Sequence, residues 1–248
     1  MTKVLDFGYC NLVESWGSDE RIIEAARMST DKGFQGWGPI HEAGCGQRFD
    51  GECLECTTKP GDEKLLSYLW THNHHTPFEM AGLTVEVQAP IFVVREWHRH
   101  RTQSYNELSG RYTALPDLFY IPSIERLMAG KQDTKNKQSS DNGFTEEHAK
   151  CYRGVIEYET KHSREAYEWL LGEGVSRELA RLVIPCNQYT RYRASANLRN
   201  WLGFLRLRMD SSAQWEIREY SKAVAKHIKE LFPRTWQLFQ ETNPQLTT

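Results

Sequence analysis

The sequence predicts an α+β protein in which helices pack on a small, mainly antiparallel sheet. Three observations predict this class. Apolar residues recur at helical spacing in several segments, only a few segments alternate as strands do, and the two kinds of segment do not alternate regularly along the chain. No G-x-G-x-x-G follows a strand. A dinucleotide-binding Rossmann unit is therefore not supported.

The first half of the chain contains three predicted helices and one predicted strand. Residues 19–29 and 62–70 have apolar residues at helical spacing, and residues 81–88 alternate as a strand does. Pro90 suits the start of a helix over about 91–102, because the first helical turn does not need its missing N–H. Residues 103–117 have no clean period and are predicted to be an ordered loop.

The second half is predicted to be mostly helical. A long helix is expected over 146–171, ending at Gly172, and shorter helices over 175–183, 198–208 and 213–231. Residues 187–196 are predicted to form a strand. We expect a single domain over 1–248, with probable insertions near 32–61 and 129–146.

Composition restricts the class of protein. Charged residues make up 26% of the chain and the formal net charge is −2, whereas proteins that bind long nucleic acids usually carry a positive excess. The N-terminus lacks an export-type leader, and every apolar stretch is too short to cross a bilayer. We therefore expect a cytoplasmic protein with no nucleic-acid or membrane partner.

A cluster of cysteines within residues 32–61 leaves two interpretations open. His41, Cys45, Cys53 and Cys56 have a spacing that can hold a structural zinc ion, or they belong to a surface insertion whose thiols bind nothing. A zinc-bearing nucleic-acid module built on these residues is an alternative function, and the slightly negative net charge argues against it. No metal is expected at the catalytic site.

The most informative segment is residues 99–112, RHRTQSYNELSGRY. An arginine guanidinium binds phosphate through two parallel N–H groups, and a glycine lets the main chain approach a ligand closely. Ser109, Gly110 and Arg111 can therefore bind a nucleotide 5′-phosphate, and Arg99 to Arg101 suit a second anion. A solvated basic helix end is the alternative that these residues alone leave open.

The order of these residues resembles the signature RHR-x-x-S-x-N-x-x-S-x-R-Y of flavin-dependent thymidylate synthases. Residues 74–79 (HHTPFE), 179–185 (LARLVIP), 197–199 (NLR) and 207–217 resemble further segments of that family, in the same order. The resemblance covers nearly the whole chain except residues 32–61 and 129–146. It implies the fold of that family.

The resemblance also implies an activity. It is the reductive methylation of dUMP to dTMP, with 5,10-methylenetetrahydrofolate as carbon donor and NADPH-reduced FAD as hydride source. The family's homotetramer, in which active sites form between subunits, is implied as well. A protein that binds a pyrimidine nucleotide without turnover, and without flavin, is the competing hypothesis.

The same resemblance implies roles for individual residues of this chain. It implies that Ser109 binds dUMP and is not a nucleophile, and that His74 lies at the folate end of the site. The implied dUMP-binding residues are Glu96, Trp97, His98, Arg99, Glu107, Leu108, Ser109, Gly110, Arg111, Arg181 and Arg208. The implied FAD-binding residues are Thr76, Arg99, His100, Arg101, Glu107, Asn197, Leu198, Arg199 and Gly203.

Arg208 is the implied catalytic residue. A guanidinium near the N3–C4–O4 edge of uracil favours the ionised pyrimidine, which makes C5 richer in electrons. The alternative is a surface arginine paired with Asp210 or Glu216. Arg199 and Arg208 are nine residues apart in a predicted helix and so face opposite ways, which fits sites formed between subunits.

Four residues depart from the family pattern. Glu96 stands where the family usually has glutamine, and Met80 stands where a histidine often follows the Phe78-Glu79 pair. Gly203 replaces a typical asparagine, and Ser212 replaces a typical histidine. A carboxylate at position 96 needs a proton or a cation beside it. The departures at 203 and 212 concern flavin contacts and leave the implied reaction class unchanged.

Overall fold

The computed structural model describes residues 2–38, 40–41, 58–132, 140–141 and 143–246. Cys45, Cys53 and Cys56 lie outside these residues, so the zinc hypothesis is not tested. In chain order the helices are α1 (Asp19–Arg27), α2 (Asp62–Thr71), α3 (Ile91–Trp97), α4 (Ile124–Met128), α5 (Glu146–Gly172), α6 (Arg177–Ala180), α7 (Leu198–Arg208), α8 (Trp215–Leu231) and α9 (Pro233–Thr242).

Strands in the described residues form one five-stranded antiparallel sheet and two short hairpins. The strands are β1 (Thr2–Val4), β2 (Gly8–Trp16), β3 (Ile40–His41), β4 (Thr58–Lys59), β5 (Gly82–Pro90), β6 (Ser104–Glu107), β7 (Lys131–Gln132), β8 (Ser140–Asp141) and β9 (Tyr189–Asn197). The large sheet has the order β1-β2-β5-β9-β6, while β3 pairs with β4 and β7 with β8. The predicted α+β class is confirmed.

The central strands β5 and β9 have one apolar face and one polar face. Val85 pairs with Ala194 and Val87 with Tyr192, and these four side chains are buried against the helices. On the other face Glu86 pairs with Arg193, with 3.4 Å between Arg193 Nε and Glu86 Oε2. Antiparallel sheets commonly have one solvated face. This one places its core on the side of α7 and α8.

A buried carboxylate fixes the C-terminal helix. Asp19, the first residue of α1, is 3% exposed and accepts hydrogen bonds from Arg234 N (2.8 Å), Thr235 N (3.2 Å) and Thr235 Oγ1 (2.6 Å). These donors lie in the first turn of α9, where main-chain N–H groups lack partners within the helix. Residues near the end of α9 are thereby held beside α2, where Trp70 Nε1 donates to Thr242 Oγ1 at 3.3 Å.

Some predicted elements differ from the observed ones. The helix predicted over 91–102 ends at Trp97, and the loop predicted over 103–117 is wrong at 104–107, which form β6. Three of the four β6 residues are exposed at the sheet edge, so they lack the alternation that signals a strand. The helix predicted over 175–183 is α6 followed by a 3₁₀ turn over Arg181–Val183. Strands β1 and β2 and helices α4 and α9 were not predicted.

Candidate active site

Predicted cofactor residues line a cavity beside α7, which we call the α7 cavity. Its volume is about 640 Å³, within the range of small-molecule sites. Of the predicted residues, His100, Arg199 and Gly203 line it. The remaining lining residues come from α2, α7, α9 and neighbouring segments, and are Leu69, Trp70, Thr71, Asn73, His75, Phe78, Thr102, Asn200, Leu202, Phe204, Arg206, Leu207, Phe239, Thr242 and Asn243.

An adjoining cavity of about 510 Å³ contains His74, the residue predicted at the folate end. His74 and Thr76 line it together with Arg199, and Leu69, Asn73, His75 and Arg199 line both cavities. Arg199 Nη1 donates to Glu79 Oε1 at 2.7 Å, which orients the guanidinium between the two cavities. Two adjoining cavities of this chain are thus lined by four of the predicted FAD residues, Thr76, His100, Arg199 and Gly203, and by His74.

Arg208 is held by two of the other predicted residues. Its Nε donates to His100 Nε2 at 2.8 Å, Nη1 donates to Glu96 Oε2 at 3.1 Å, and Nη2 donates to the Glu96 main-chain oxygen at 3.0 Å. The side chain is only 17% exposed. We call Arg208, Glu96 and His100 the Arg208 cluster. The alternative pairing with Asp210 or Glu216 is wrong.

The Arg208 cluster leaves part of the guanidinium available. Arginine has five N–H donors, and three of them are used by Glu96 and His100. The sequence predicts that a carboxylate at position 96 needs a proton or a cation beside it. Arg208 is that cation. The arrangement fixes the guanidinium and leaves N–H groups for a ligand.

The imidazole of His100 is neutral at neutral pH. Burial, and then the neighbouring Arg208 guanidinium, lower the pKa of His100 to about 4. A neutral imidazole can accept the hydrogen bond that Arg208 donates, whereas an imidazolium cannot. The main chain of the same turn is braced by Tyr105, whose hydroxyl donates to His100 O at 2.8 Å.

Ser109 and Arg111 lie in a turn that follows β6, and we call residues 108–112 the Ser109 turn. Tyr112 N and Thr113 N both donate to Ser109 O at 3.1 Å. Arg111 Nε lies 3.1 Å from Glu178 Oε2, and both side chains are more than half exposed. The position of a Cβ on Gly110 is 3.5 Å from Arg181 Cδ. The fold therefore brings Ser109, Gly110, Arg111 and Arg181 together.

The Ser109 turn and the Arg208 cluster pack on different parts of the protein. Gly110 lies against Leu115, which belongs to a small apolar cluster with Tyr167 of α5 and Ala180 of α6. The residues around Arg208 pack on the main core. Among the described residues no hydrogen bond or ion pair joins the Ser109 turn to the Arg208 cluster. The predicted dUMP residues therefore form two groups in one chain.

Other predicted residues have structural roles or stand exposed. Trp97 and Leu198 are both 0% exposed, and the Trp97 indole donates to Gln103 at 2.9 Å. The side chains of Trp97 and Leu198 are therefore inside the core. Asn197 accepts from Asn200 N at 2.9 Å and caps α7, and Glu107 accepts from Thr190 at 2.7 Å. His98 is half-buried and packs on Tyr105, whereas Arg99 and Arg101 are exposed.

Comparison with known proteins identifies the family. The family model described as thymidylate synthase complementing protein, Thy1, matches residues 11–234. The chain belongs to this family. A flavin-dependent thymidylate synthase of Thermus thermophilus is 40% identical over 238 residues, which cover 96% of this chain and 77% of the relative. One from Thermosipho africanus is 38% identical over 237 residues, with 96% and 92% covered.

A solved structure with a similar fold contains a bound nucleotide. The UMP/dUMP methylase PolB from Streptomyces cacaoi, bound with 5-Br dUMP, is similar with a TM-score of 0.77 and 30% sequence identity, over 97% of each chain. The predicted resemblance to flavin-dependent thymidylate synthases is therefore confirmed. No helix among the described residues is long and apolar enough to cross a membrane.

The cavity residues fit an FAD cofactor. A Cβ placed on Gly203 would meet no heavy atom within 4 Å, so the space beside this turn of α7 is open. Arg199, Thr102 and Asn200 offer polar groups to a phosphate or sugar, and Trp70, Phe78 and Phe239 offer apolar surface. These are the two kinds of contact that a dinucleotide requires.

Several cavity residues were not predicted from the sequence. Trp70, Phe239 and Thr242 come from α2 and α9, which are distant in sequence and meet only in the fold. Pro233 at the first position of α9 is a helix-start signal, but it does not show where the helix packs. Arg206 lies seven residues after Arg199 on α7, and this helical spacing was available in the sequence.

We predict that His100 makes the protein less stable in mild acid. The pKa of His100 in the fold, about 4, is below the usual value of 6.5, so the unfolded chain takes up the proton first. The contribution of neutral His100 to the free energy of unfolding is complete above pH 6.5 and is lost as the pH falls towards 4. Urea unfolding of the wild-type protein and His100→Gln at several pH values measures it. If the free energy of unfolding changes with pH equally in both proteins, the lowered pKa of His100 is contradicted.

Proposed function

We propose that this protein catalyses the reductive methylation of dUMP to dTMP. The carbon donor is 5,10-methylenetetrahydrofolate, and the hydride comes from FAD that NADPH has reduced. The methylene carbon becomes the methyl group on C5, and tetrahydrofolate and NADP⁺ are released. The observation that carries the proposal is the similarity over 97% of the chain to a UMP/dUMP methylase, together with relatives named flavin-dependent thymidylate synthase.

The Arg208 cluster supports a role for Arg208 in activating the pyrimidine. Uracil C5 is a weak nucleophile, and negative charge on the N3–C4–O4 edge increases its electron density. A guanidinium fixed by Glu96 and His100 does not need to reorganise when that charge develops, which is the condition for electrostatic catalysis. Arg208 would stabilise the ionised pyrimidine through the N–H groups that Glu96 and His100 leave free.

The Ser109 turn supports the binding of the nucleotide phosphate. Arg111 and Arg181 are exposed at the turn. Among the described residues Arg111 has an ion pair only with Glu178, a surface contact of small energetic value. A phosphate can replace that carboxylate and use both guanidinium groups. Ser109 and the Gly110 main chain complete the proposed phosphate site, and Glu107 and Leu108 lead into it.

FAD is proposed to bind in the α7 cavity. Arg199, His100 and Gly203 would contact it there, with Thr76 at the edge and His74 at the folate end. Arg99 and Arg101 are exposed and bear charges that suit the diphosphate. The bound flavin supplies the redox chemistry, and the residues of the chain hold the reactants and exclude water.

The assembly that we propose is a homotetramer with shared active sites, and the arrangement of the predicted dUMP residues in two groups supports active sites formed between subunits. A second copy can bring its Ser109 turn to the Arg208 cluster of the first. Large apolar side chains are also exposed on α5 and in the segment that follows α6, as expected of a chain that forms oligomers. They include Val155 (56% exposed), Tyr158 (68%), Trp169 (64%) and Leu182 (77%). We also propose that the enzyme acts in the cytoplasm.

The activity is tested directly by assaying the purified protein with FAD, NADPH, methylenetetrahydrofolate and dUMP. We expect a yellow protein, NADPH oxidation that depends on dUMP, and dTMP detected by mass spectrometry. UMP should be assayed in parallel, because the similar PolB methylase is named for both nucleotides. A colourless protein that binds dUMP, ignores added FAD and forms no dTMP would favour the non-catalytic nucleotide-binding alternative.

Arg208→Ala is expected to lower kcat by about 100-fold or more, the usual effect of losing one preorganised donor. The dissociation constant for dUMP should change much less, because the phosphate contacts remain. Single-turnover measurements and equilibrium dialysis separate the two quantities. Retention of more than a tenth of the wild-type kcat would remove the proposed activating role.

Arg111→Ala is expected to weaken dUMP binding about 10-fold to 100-fold, since a hydrogen bond between charged groups contributes about 1.5–3 kcal/mol. Binding of deoxyuridine, which lacks the phosphate, should be unchanged. Calorimetric titration of both ligands provides the comparison. The phosphate assignment fails if the affinities of dUMP and deoxyuridine fall equally, or if the dUMP affinity does not change.

A further inference from the structure

The face of α7 that lines the α7 cavity carries an arginine that the proposed function does not use. Arg199, Gly203 and Arg206 are separated by four and three residues, so they lie on one face of the helix. All three line the cavity. The two arginines are about 10 Å apart along the helix axis, from a rise of about 1.5 Å per residue. Gly203 lies between them.

The charge of this cavity is positive. None of its described lining residues is an aspartate or a glutamate. Arg199 is paired with Glu79 at 2.7 Å, outside this cavity's lining, whereas Arg206 has no ion pair within the described part of the chain. His100 adds no charge at neutral pH, because its pKa is lowered to about 4. Arg206, which is exposed, is therefore the arginine of this lining that has no carboxylate partner among the described residues.

Aromatic side chains also line the cavity. Trp70, Phe78 and Phe239 are among its lining residues, and the Trp70 and Phe78 rings are in edge contact with 5.7 Å between centroids. Phe78 and Phe239 are each only 2% exposed, so Trp70 is the ring of the three that a ligand can reach best. A Cβ placed on Gly203 would meet no neighbour within 4 Å, so a ligand that enters here can approach the α7 backbone at this residue.

We propose that Arg206, with Arg199 across Gly203, binds phosphate groups of a dinucleotide in the α7 cavity. The inference rests on the proposed function, because that function supplies two dinucleotides. The phosphates can belong to the flavin dinucleotide or to the nicotinamide dinucleotide that reduces it. The chemistry is the same in both cases, namely a guanidinium fork on phosphate oxygens in a cavity that also has apolar lining residues.

The test compares Arg206→Gln with Lys161→Gln. Lys161 is on α5 and its side chain is 79% exposed, so its replacement makes the same change in net charge away from the cavity. Affinities for FAD and riboflavin are measured by flavin fluorescence without dUMP or folate. The KM values for NADPH and NADH are then measured from reduction of the bound flavin, at saturating FAD.

Two results support the proposal, and each identifies a source of the phosphate. If Arg206→Gln weakens FAD binding about 10-fold but leaves riboflavin binding unchanged, the phosphates belong to the flavin dinucleotide. If FAD binding is unchanged and the KM for NADPH rises about 10-fold, the phosphates belong to the nicotinamide dinucleotide. In that case an equal rise in the KM for NADH locates the contact at the diphosphate. An unchanged KM for NADH locates it at the 2′-phosphate. Lys161→Gln should change none of these values.

Three results would overturn it. They are unchanged FAD affinity together with unchanged KM values, an equal loss of FAD and riboflavin binding, and the same changes in Lys161→Gln. Because flavin binding is measured without dUMP or folate, a protein that forms no dTMP can still pass or fail this test. Failure of the proposed reaction is thus distinguishable from failure of the Arg206 assignment.

A second variant tests the cavity itself. Gly203→Met places a flexible side chain where a Cβ meets no neighbour, and methionine favours the helix more than glycine does. We expect thermal stability to be kept or raised while binding of the dinucleotide identified above falls at least 10-fold. Unchanged binding of both dinucleotides to a folded Gly203→Met protein would exclude the α7 cavity as their site.

Discussion

The geometry of helix α7 is the constraint on which the proposed site depends. Arg199 and Arg208 are nine residues apart, about 180° around a helix. Arg199 lines the α7 cavity, whereas Arg208 is bonded to Glu96 and to His100, which itself lines the cavity. The Ser109 turn lies on a separate apolar cluster with α5 and α6. Within the described residues no hydrogen bond or ion pair joins the Ser109 turn to the Arg208 cluster, and the proposal that another copy of the chain completes each site rests on this arrangement.

The Arg208 cluster has little net charge of its own. Glu96 neutralises Arg208 while orienting it, and burial keeps His100 uncharged, so that the imidazole accepts from Arg208. The Glu96 carboxylate thus reduces the net charge at this point and keeps the guanidinium fixed. The α7 cavity keeps a positive charge, because Arg206 has no carboxylate beside it among the described lining residues.

The sequence predicted the parts of the fold whose periodicity reflects burial. Helices α7 and α8 and strand β5 have clear apolar periods because each packs one face on the core. Strand β6 was missed because its edge position leaves most of its side chains exposed. The motif residues located the α7 cavity and the Ser109 turn. The pairing of Arg208 with Glu96, 112 residues away, depends on tertiary packing, and local spacing pointed to Asp210 or Glu216 instead.

The central claim is that residues of different copies form one site, and mixing inactive variants tests it most directly. Arg208→Ala and Arg111→Ala proteins are each assayed alone at subsaturating dUMP, and then after joint unfolding and refolding to exchange subunits. The account predicts that the mixed oligomers recover a substantial fraction of wild-type dTMP formation, because some sites then receive both arginines. Mixed oligomers that form, as native mass spectrometry can establish, but are no more active than the separate variants would contradict it.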